Sequence, residues 1–224
     1  VLPSTDQEKL GIRNWIIQVT DARRFTTSII PHAKIKVKGI GDESNTIQLT
    51  TNWQSLVDYI LHRSDVVFIA PTKTPVTERE LTGFDLSANK GNLIHRQWPL
   101  ITGNGLTVSI KENKMDTADI DFRGRYLYSP TASARMETHA TTMATIAAGG
   151  GNTFYTGKGV AWGASISNSD FNNLLPDNMS VLKQLNVAVQ NHSYGVGIEN
   201  YYGADAQAYD AQMNLGLAAI GGKD

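Results

Sequence analysis

From Gly103 onward, short apolar stretches alternate with segments of helical spacing, and this alternation is the strongest constraint on the fold. Strands that alternate with helices are typical of βαβ units, whose strands run parallel in one sheet. The sequence therefore predicts an α/β fold with a partial, parallel, doubly wound sheet over 103–224. The predicted strands cover 106–110, 164–169, 187–190 and the start of one at 218–220, and the predicted helices cover 138–148, 179–185 and 204–215.

The first eighty residues have a different pattern, which predicts a small α+β module over 1–80. Asn52 is expected to cap a helix over 52–61, because apolar residues there recur at helical spacing. Residues 71–100 contain three prolines and show weak periodicity, so we assign 81–102 as a connector with one short helical piece at 87–97. The strands of this module are predicted at 13–19, 33–40 and 65–70.

Composition excludes several classes of function. The chain has 20 Lys and Arg against 21 Asp and Glu, so it lacks the basic surface that nucleic-acid binding requires. It has no cysteine, which removes disulfides, thiolate catalysis and Cys-ligated zinc. No apolar stretch approaches the roughly 20 residues that cross a bilayer, and the first residues do not form a signal peptide.

Polar groups that can carry chemistry follow the predicted strands or begin a helix. In a doubly wound sheet, functional groups collect at the carboxyl ends of strands and at the N-termini of the following helices. Three segments meet this description: Lys111–Asn113, Thr138–His139 and Asn191–Gly195.

Four segments in this order resemble the subtilisin-like serine protease family. VSIKENKMDTADIDF (108–122) is similar to the family's Val-Ala-Val-Ile-Asp-Thr-Gly-Ile-Asp stretch with its later Asp-Leu, and HAT (139–141) to His-Gly-Thr. GVAWGASI (159–166) resembles Gly-Val-Ala-Pro-x-Ala-x-Leu, and NHSYG (191–195) resembles Asn-x-Ser-x-Gly. The resemblance covers roughly 106–200 and rests on the order of the four segments.

The resemblance implies roles for individual residues. His139 takes the position of the general base, and Glu112 takes that of the acid that orients the base, with Asp116 and Asp119 as alternatives. Ser193, Tyr194 and Gly195 take the position of the edge that pairs with substrate backbone.

Two departures from the family pattern stand beside these roles. Glu112 replaces an aspartate, and its extra methylene requires an adjusted backbone. The family's Gly-Thr-Ser nucleophile segment is absent from the 224 residues.

The resemblance thus implies a serine endopeptidase that acts on peptide or protein substrates, with its nucleophilic serine outside this sequence. Residues 1–80 would be a pro-domain that packs on the catalytic domain of a zymogen, and the protein would be secreted or periplasmic, its signal peptide already removed. No cofactor is expected, although the acidic residues at 112–121 are compatible with a structural calcium ion.

Two other functional classes compete with the protease hypothesis. A catalytically inactive, protease-like peptide-binding module agrees with Glu112 and with the missing serine. A nucleotide-binding α/β domain is disfavoured, because the glycine-rich run 149–159 does not have the spacing of a phosphate-binding loop.

Overall fold

The computed structural model describes residues 11–77, 86–197 and 200–221, with side chains as far as Asn214 in the last helix. The chain divides into two compact units. Within the described residues, the first unit comprises 11–74, 174–176, 197 and 200–221, and the second comprises 75–77, 86–173 and 177–196. No helix in these ranges is long and apolar enough to span a membrane.

The first unit is built on a four-stranded antiparallel sheet. Its strand order is β2-β3-β1-β4, so the first strand of the chain lies in the interior of the sheet. Strand β3 was not predicted, although Ile47, Leu49 and Thr51 alternate towards the buried face. The strands are β1 (Ile12–Val19), β2 (Lys36–Gly41), β3 (Thr46–Asn52) and β4 (Val66–Pro71).

Two helices cover one face of this sheet. Helix α1 (Ala22–Ile29) begins at Asp21, whose side chain accepts a hydrogen bond from the Arg24 backbone, and it buries Phe25 in the core. Helix α2 (Trp53–Leu56) begins at Asn52, as predicted, and continues as a π-helical turn over Val57–Leu61. Helix α1 was not predicted from the sequence, although Ala22, Phe25, Thr26 and Ile29 form its buried stripe.

Helix α6 (Ala204–Gly221) belongs to this first unit. Its residues Ala204 and Ala208 pack with Ile16 of β1 and with Leu175 in a separate small core. The strand predicted at 218–220 is wrong, because the helix continues through these residues.

The second unit contains the predicted parallel sheet. Its three strands are ordered β7-β6-β8, and both neighbours of the central strand run parallel to it. The α/β prediction is therefore confirmed for this unit. Its parallel strands and helices are β6 (Thr107–Glu112), β7 (Ser165–Asp170), β8 (Val187–His192), α3 (Gly91–Gln97), α4 (Thr138–Ala148) and α5 (Met179–Gln184).

Helix α4 packs on one face of the central strand. Its small residues Ala140, Ala144 and Ala148 lie in one core with Ile110 of β6 and Ile166 of β7. Because alanine adds little bulk, the helix can approach the strand end closely. Gly149 ends the helix with an ordinary φ of −56°, and a left-handed conformation occurs two residues later at Gly151, with φ +72°.

A separate two-stranded ladder joins distant parts of the second unit. Strand β5 (Val76–Thr77) runs antiparallel to β9 (Tyr194–Gly195), with Val76 opposite Gly195 and Thr77 opposite Tyr194. The predicted boundary near residue 80 lies outside the described residues. The division into 1–80, 81–102 and 103–224 remains a prediction.

Candidate active site

The two principal candidate side chains meet where a strand ends and a helix begins. Glu112 is the last residue of β6, and His139 is the second residue of α4. The alternation of side chains along β6 directs Glu112 to the same face as Ile110, which packs against α4. The fold thus brings together two residues that are 27 positions apart in the sequence.

Glu112 and His139 form a buried pair. The Glu112 Oε2 atom lies 3.6 Å from His139 Nδ1, and the two residues are 0% and 2% exposed. This distance is slightly too long for a hydrogen bond. Among the described residues, neither carboxylate oxygen of Glu112 nor either ring nitrogen of His139 has a hydrogen-bond partner. A small movement would therefore bring Glu112 Oε2 and His139 Nδ1 into hydrogen-bond distance, and no other described polar group holds either side chain in place.

The surroundings of Glu112 make its ionisation costly. Its pKa is raised to about 7, first by burial and second by the negative charge of Glu137. The backbone N–H of Ser193 acts in the opposite direction on this pKa. The contact between Ser193 and Glu112 nevertheless falls short of hydrogen-bond geometry, because neither oxygen of Glu112 has a hydrogen-bond partner among the described residues.

A polar network connects the turn after β6 to the start of α4. Asn113 donates through Nδ2 to Glu137 Oε2, and it accepts at Oδ1 from Ser133 Oγ over 3.3 Å. The Glu137 backbone N–H donates to the carbonyl of Lys114 over 3.0 Å. Because Glu137 is the N-cap of α4, this network fixes the helix start relative to the turn.

The predicted substrate edge lies at the end of β8. Tyr194 and Gly195 form β9, which already pairs with a second extended segment, β5. Ser193 Oγ accepts a hydrogen bond from Asn191 Nδ2 over 2.7 Å. The Tyr194 ring contacts Phe171 edge-on, at 5.5 Å between centroids, and its hydroxyl lies 3.0 Å from His192 Nδ1. Side-chain contacts therefore support the extended backbone of this edge.

The opposite face of β6 carries a second buried charge. Lys111 is 0% exposed and lies 3.8 Å from the Asp177 carboxylate, whose other oxygen accepts from Gln190 over 2.8 Å. Burial lowers the pKa of Lys111, and the charges of Asp177 and Asp170 oppose that lowering. Burial and the Lys111 charge lower the pKa of His192 to about 4, although part of this ring remains exposed to solvent.

The alternative acids are engaged in local turns. Asp116 Oδ1 accepts from the Ala118 backbone, and Asp119 Oδ1 accepts from the Asp121 backbone, each over 2.9 Å. In the described part of the chain, the ion pair of His139 is with Glu112. The same part holds no cluster of three His, Asp or Glu side chains suited to a metal ion. The calcium ion stays an untested expectation.

A family comparison now identifies the chain. The model of the subtilase family, peptidase S8, matches residues 103–221, which is more than half of the chain. The chain belongs to the subtilase family. The match begins at the predicted start of the α/β part and includes the Glu112, His139 and Ser193–Gly195 segments. No curated protein sequence matches the subtilase significantly.

Solved structures with the same fold come from proteases. Fervidolysin from Fervidobacterium pennivorans, described as a keratinolytic enzyme related to subtilisin, aligns with a TM-score of 0.60 and 17% identity over 95% of this chain and 39% of its own. A variant of the epidermin leader peptide processing serine protease from Staphylococcus aureus aligns with a TM-score of 0.63 and 12% identity. That alignment covers 94% of this chain and 59% of the protease. The subtilase thus spans between about two fifths and three fifths of these proteins.

Sequence reasoning missed the partners that surround the candidate pair. Glu137 and Ser133 lie in a segment without a periodic pattern, and their link to Asn113 depends on how the loop folds. Asn178 caps α5, and the neighbouring Asp177 pairs with Lys111, a contact that the sequence did not predict. The sequence offered one signal for Asp177: Lys111 lies within a predicted strand, and a lysine that is buried there requires a counter-charge.

Proposed function

We propose that this subtilase is the acid- and base-bearing part of a serine endopeptidase that hydrolyses peptide bonds in extended polypeptides. The 3.6 Å approach of Glu112 to His139 Nδ1, in a buried site, is the observation that carries this proposal. The proposed nucleophile is a serine outside the 224 residues. The family match and the protease folds of the structural neighbours support the same reaction class.

Each residue has a defined part in the proposed reaction. His139 Nε2 removes the proton from the serine hydroxyl as its oxygen attacks the peptide carbonyl, and the imidazolium then gives this proton to the leaving amine. Glu112 holds the ring through Nδ1 and stabilises its positive charge. Water hydrolyses the resulting acyl-enzyme by the same proton transfers, which regenerates the serine.

The strand pairing at Tyr194–Gly195 supports the proposed substrate class. Strand β5 pairs with this edge in antiparallel register, as an extended peptide would. Addition of a strand to a sheet edge recognises main-chain groups, so the substrate would be a peptide or an unfolded protein segment. Since β5 follows the N-terminal sheet in the chain, we further propose that residues 1–80 act as a pro-domain and that the protein is a secreted zymogen.

The test is labelling of the full-length protein with a fluorophosphonate, a reagent that reacts with activated serines. We expect labelling, and we expect His139→Ala to abolish it together with peptidase activity. His62→Ala is the matched control, because this exposed histidine belongs to the first unit, whereas the candidate pair belongs to the second. Labelling that is retained in His139→Ala would disprove the proposed role of His139.

A non-catalytic peptide-binding module is the second candidate. The pairing of β5 with β9 favours it, because this interaction needs no serine. The absence of fluorophosphonate labelling, combined with peptide binding that is lost on disruption of Tyr194–Gly195, would support this module over the peptidase.

A further inference from the structure

The backbone around Glu112 is bound by one side chain of the neighbouring strand. Asn168 lies on β7 opposite Ile110 and is 0% exposed. Its Nδ2 group donates to the Ile110 carbonyl over 2.8 Å and to the Asn113 carbonyl over 3.0 Å. Its Oδ1 atom accepts from the Met115 backbone N–H over 3.0 Å. The three bonded peptide groups lie on both sides of Glu112 in the sequence.

These bonds are made where water does not compete. Ile110, Met115 and Asn168 are each 0% exposed, so a lost bond would leave a buried polar group without a partner. Both amide protons and the amide oxygen of Asn168 are used, and an asparagine can direct them to three groups at once. The side chain therefore acts as a cross-link between β7 and the turn that begins at Glu112.

The network extends from the turn to the base. Asn113, whose carbonyl Asn168 binds, also contacts Glu137 at the N-cap of α4. His139 lies two residues after this N-cap. The positions of Glu112 and of the helix that carries His139 are thus both linked to Asn168.

The glutamate at position 112 gives a reason for the hydrogen bonds that Asn168 makes to the backbone. Its carboxylate reaches one methylene further than that of aspartate, and the observed separation of 3.6 Å leaves little margin. A misplacement of about 1 Å costs on the order of a hundredfold in rate. The backbone on both sides of Glu112 must therefore be fixed more strictly than packing alone would require.

We propose that Asn168 is the positioning residue that sets the Glu112 carboxylate against His139. This inference rests on the proposed peptidase function for its kinetic consequence, but its structural consequence can be tested separately.

The first test uses the kinetics of the full-length protein. Asn168→Leu should lower kcat about a hundredfold while KM changes by less than about twofold, because the substrate edge is untouched. The double variant Glu112→Gln/Asn168→Leu should lose no more than Glu112→Gln alone. Ser167→Ala is the matched control, because Ser167 is a buried neighbour on β7 whose Oγ makes no hydrogen bond among the described residues. Independent, multiplicative losses in the double variant would overturn the proposal.

The second test needs no catalysis and separates this inference from the proposed function. The ¹⁵N chemical shifts of the His139 ring report its interaction with Glu112, and Asn168→Leu should reproduce the change caused by Glu112→Gln. If Asn168→Leu does not fold, Asn168→Ala leaves room for water and should give the same change in shift. A lower melting temperature with unchanged His139 shifts would show that Asn168 is only structural. If Asn168→Leu changes the His139 ring shifts but the full-length protein has no peptidase activity, the inference about Asn168 stands and the peptidase proposal is wrong.

Discussion

Glu112 is subject to two opposing requirements. The proposed chemistry needs its negative charge beside the histidine, whereas burial and Glu137 favour its neutral form. With a pKa of about 7, the carboxyl group is only partly ionised at neutral pH. Because the group interacts with His139, the pH dependence of activity would report the pair and not either residue alone. We therefore expect kcat/KM of the full-length subtilase to rise as the pH increases towards and through 7.

Restoring the aspartate that is typical of the family should impair this protein. Glu112→Asp withdraws the carboxylate by about one bond length from a ring nitrogen that is already 3.6 Å away. We expect kcat to fall about a hundredfold with little change in KM, measured on the full-length protein with a peptide substrate. An increase in kcat would show that the turn adapts to either acid and that its geometry is not matched to glutamate.

The raised pKa of Glu112 also makes stability depend on pH. Below about pH 4.5 the carboxyl group is protonated in both the folded and the unfolded chain, so Glu112→Gln and the original protein should differ little in the pH-dependent part of their stability. Between pH 4.5 and 7 the unfolded chain ionises first, and the free energy of unfolding of the original protein falls. Above pH 7 the free energy of unfolding of Glu112→Gln, relative to that of the original protein, should be about 3 kcal/mol higher than at low pH. Urea denaturation at pH 4 and pH 8 measures this gain, and an equal difference at both values would contradict it.

At the scale of the secondary-structure elements, β6 separates two buried polar environments. One face presents Glu112 towards α4, and the other presents Lys111 to Asp177. Adjacent residues of a strand point to opposite faces, so these two charged groups have different partners. Each of the two charged side chains therefore needs a partner on its own face of the strand.

Removing one member of the Lys111–Asp177 pair should be more damaging than removing both. Lys111→Met or Asp177→Asn removes the ion-pair partner of a buried charge, which costs about 3 kcal/mol, whereas the double variant removes both charges. Urea denaturation of the four proteins measures the coupling. The exposed pair Arg23–Asp42 offers a control, because Arg23→Ala should leave the midpoint of urea denaturation almost unchanged. Additive losses for Lys111 and Asp177 would show that the pair contributes no coupling.

The elements that the sequence reveals are those whose residue types recur with a clear spacing. Strands β6 and β8 begin with β-branched and small residues, and alanines recur at helical spacing along α4. Helix α1 was missed because it is short and its threonines and serine weaken the apolar periodicity. Its only signals in the sequence are the N-cap Asp21 and four residues at helical spacing. Strand β3 was missed because threonine occupies buried positions such as Thr46 and Thr51.

The candidate pair was found through motif order, whereas its supporting residues were not found. Glu112 and His139 lie in segments that resemble a family. Asn168 and Glu137 act through contacts between segments that are 55 and 24 residues apart, and no local pattern encodes them. Buried polar residues in a strand, such as Ser167–Ser169, are the nearest signal, because each needs a partner.

At the scale of the molecule, the two compact units have separate hydrophobic cores. Phe25 is fully buried in the core of the first unit, and Phe122 is fully buried in that of the second. The first unit combines residues from both ends of the described chain, since α6 packs on Ile16 of β1. Its folding therefore requires a long-range closure of the chain, which is slow compared with local helix formation.

We expect calorimetry to resolve two thermal transitions. Phe25→Ala should lower the transition of the first unit, and Phe122→Ala should lower that of the second, each by the equivalent of about 3–5 kcal/mol. A single transition that both substitutions lower equally would show that the two cores unfold as one cooperative system.

The ladder between β5 and β9 has a consequence for any experiment that adds peptide to this protein. Val76 and Thr77 are covalently attached to the molecule whose Tyr194 and Gly195 they cover. A tethered competitor of this kind acts at an effective concentration of the order of millimolar. A dissolved peptide of micromolar affinity would thus appear to bind weakly, and cutting the chain between Thr77 and the α/β part would strengthen its apparent binding without altering Tyr194 or Gly195.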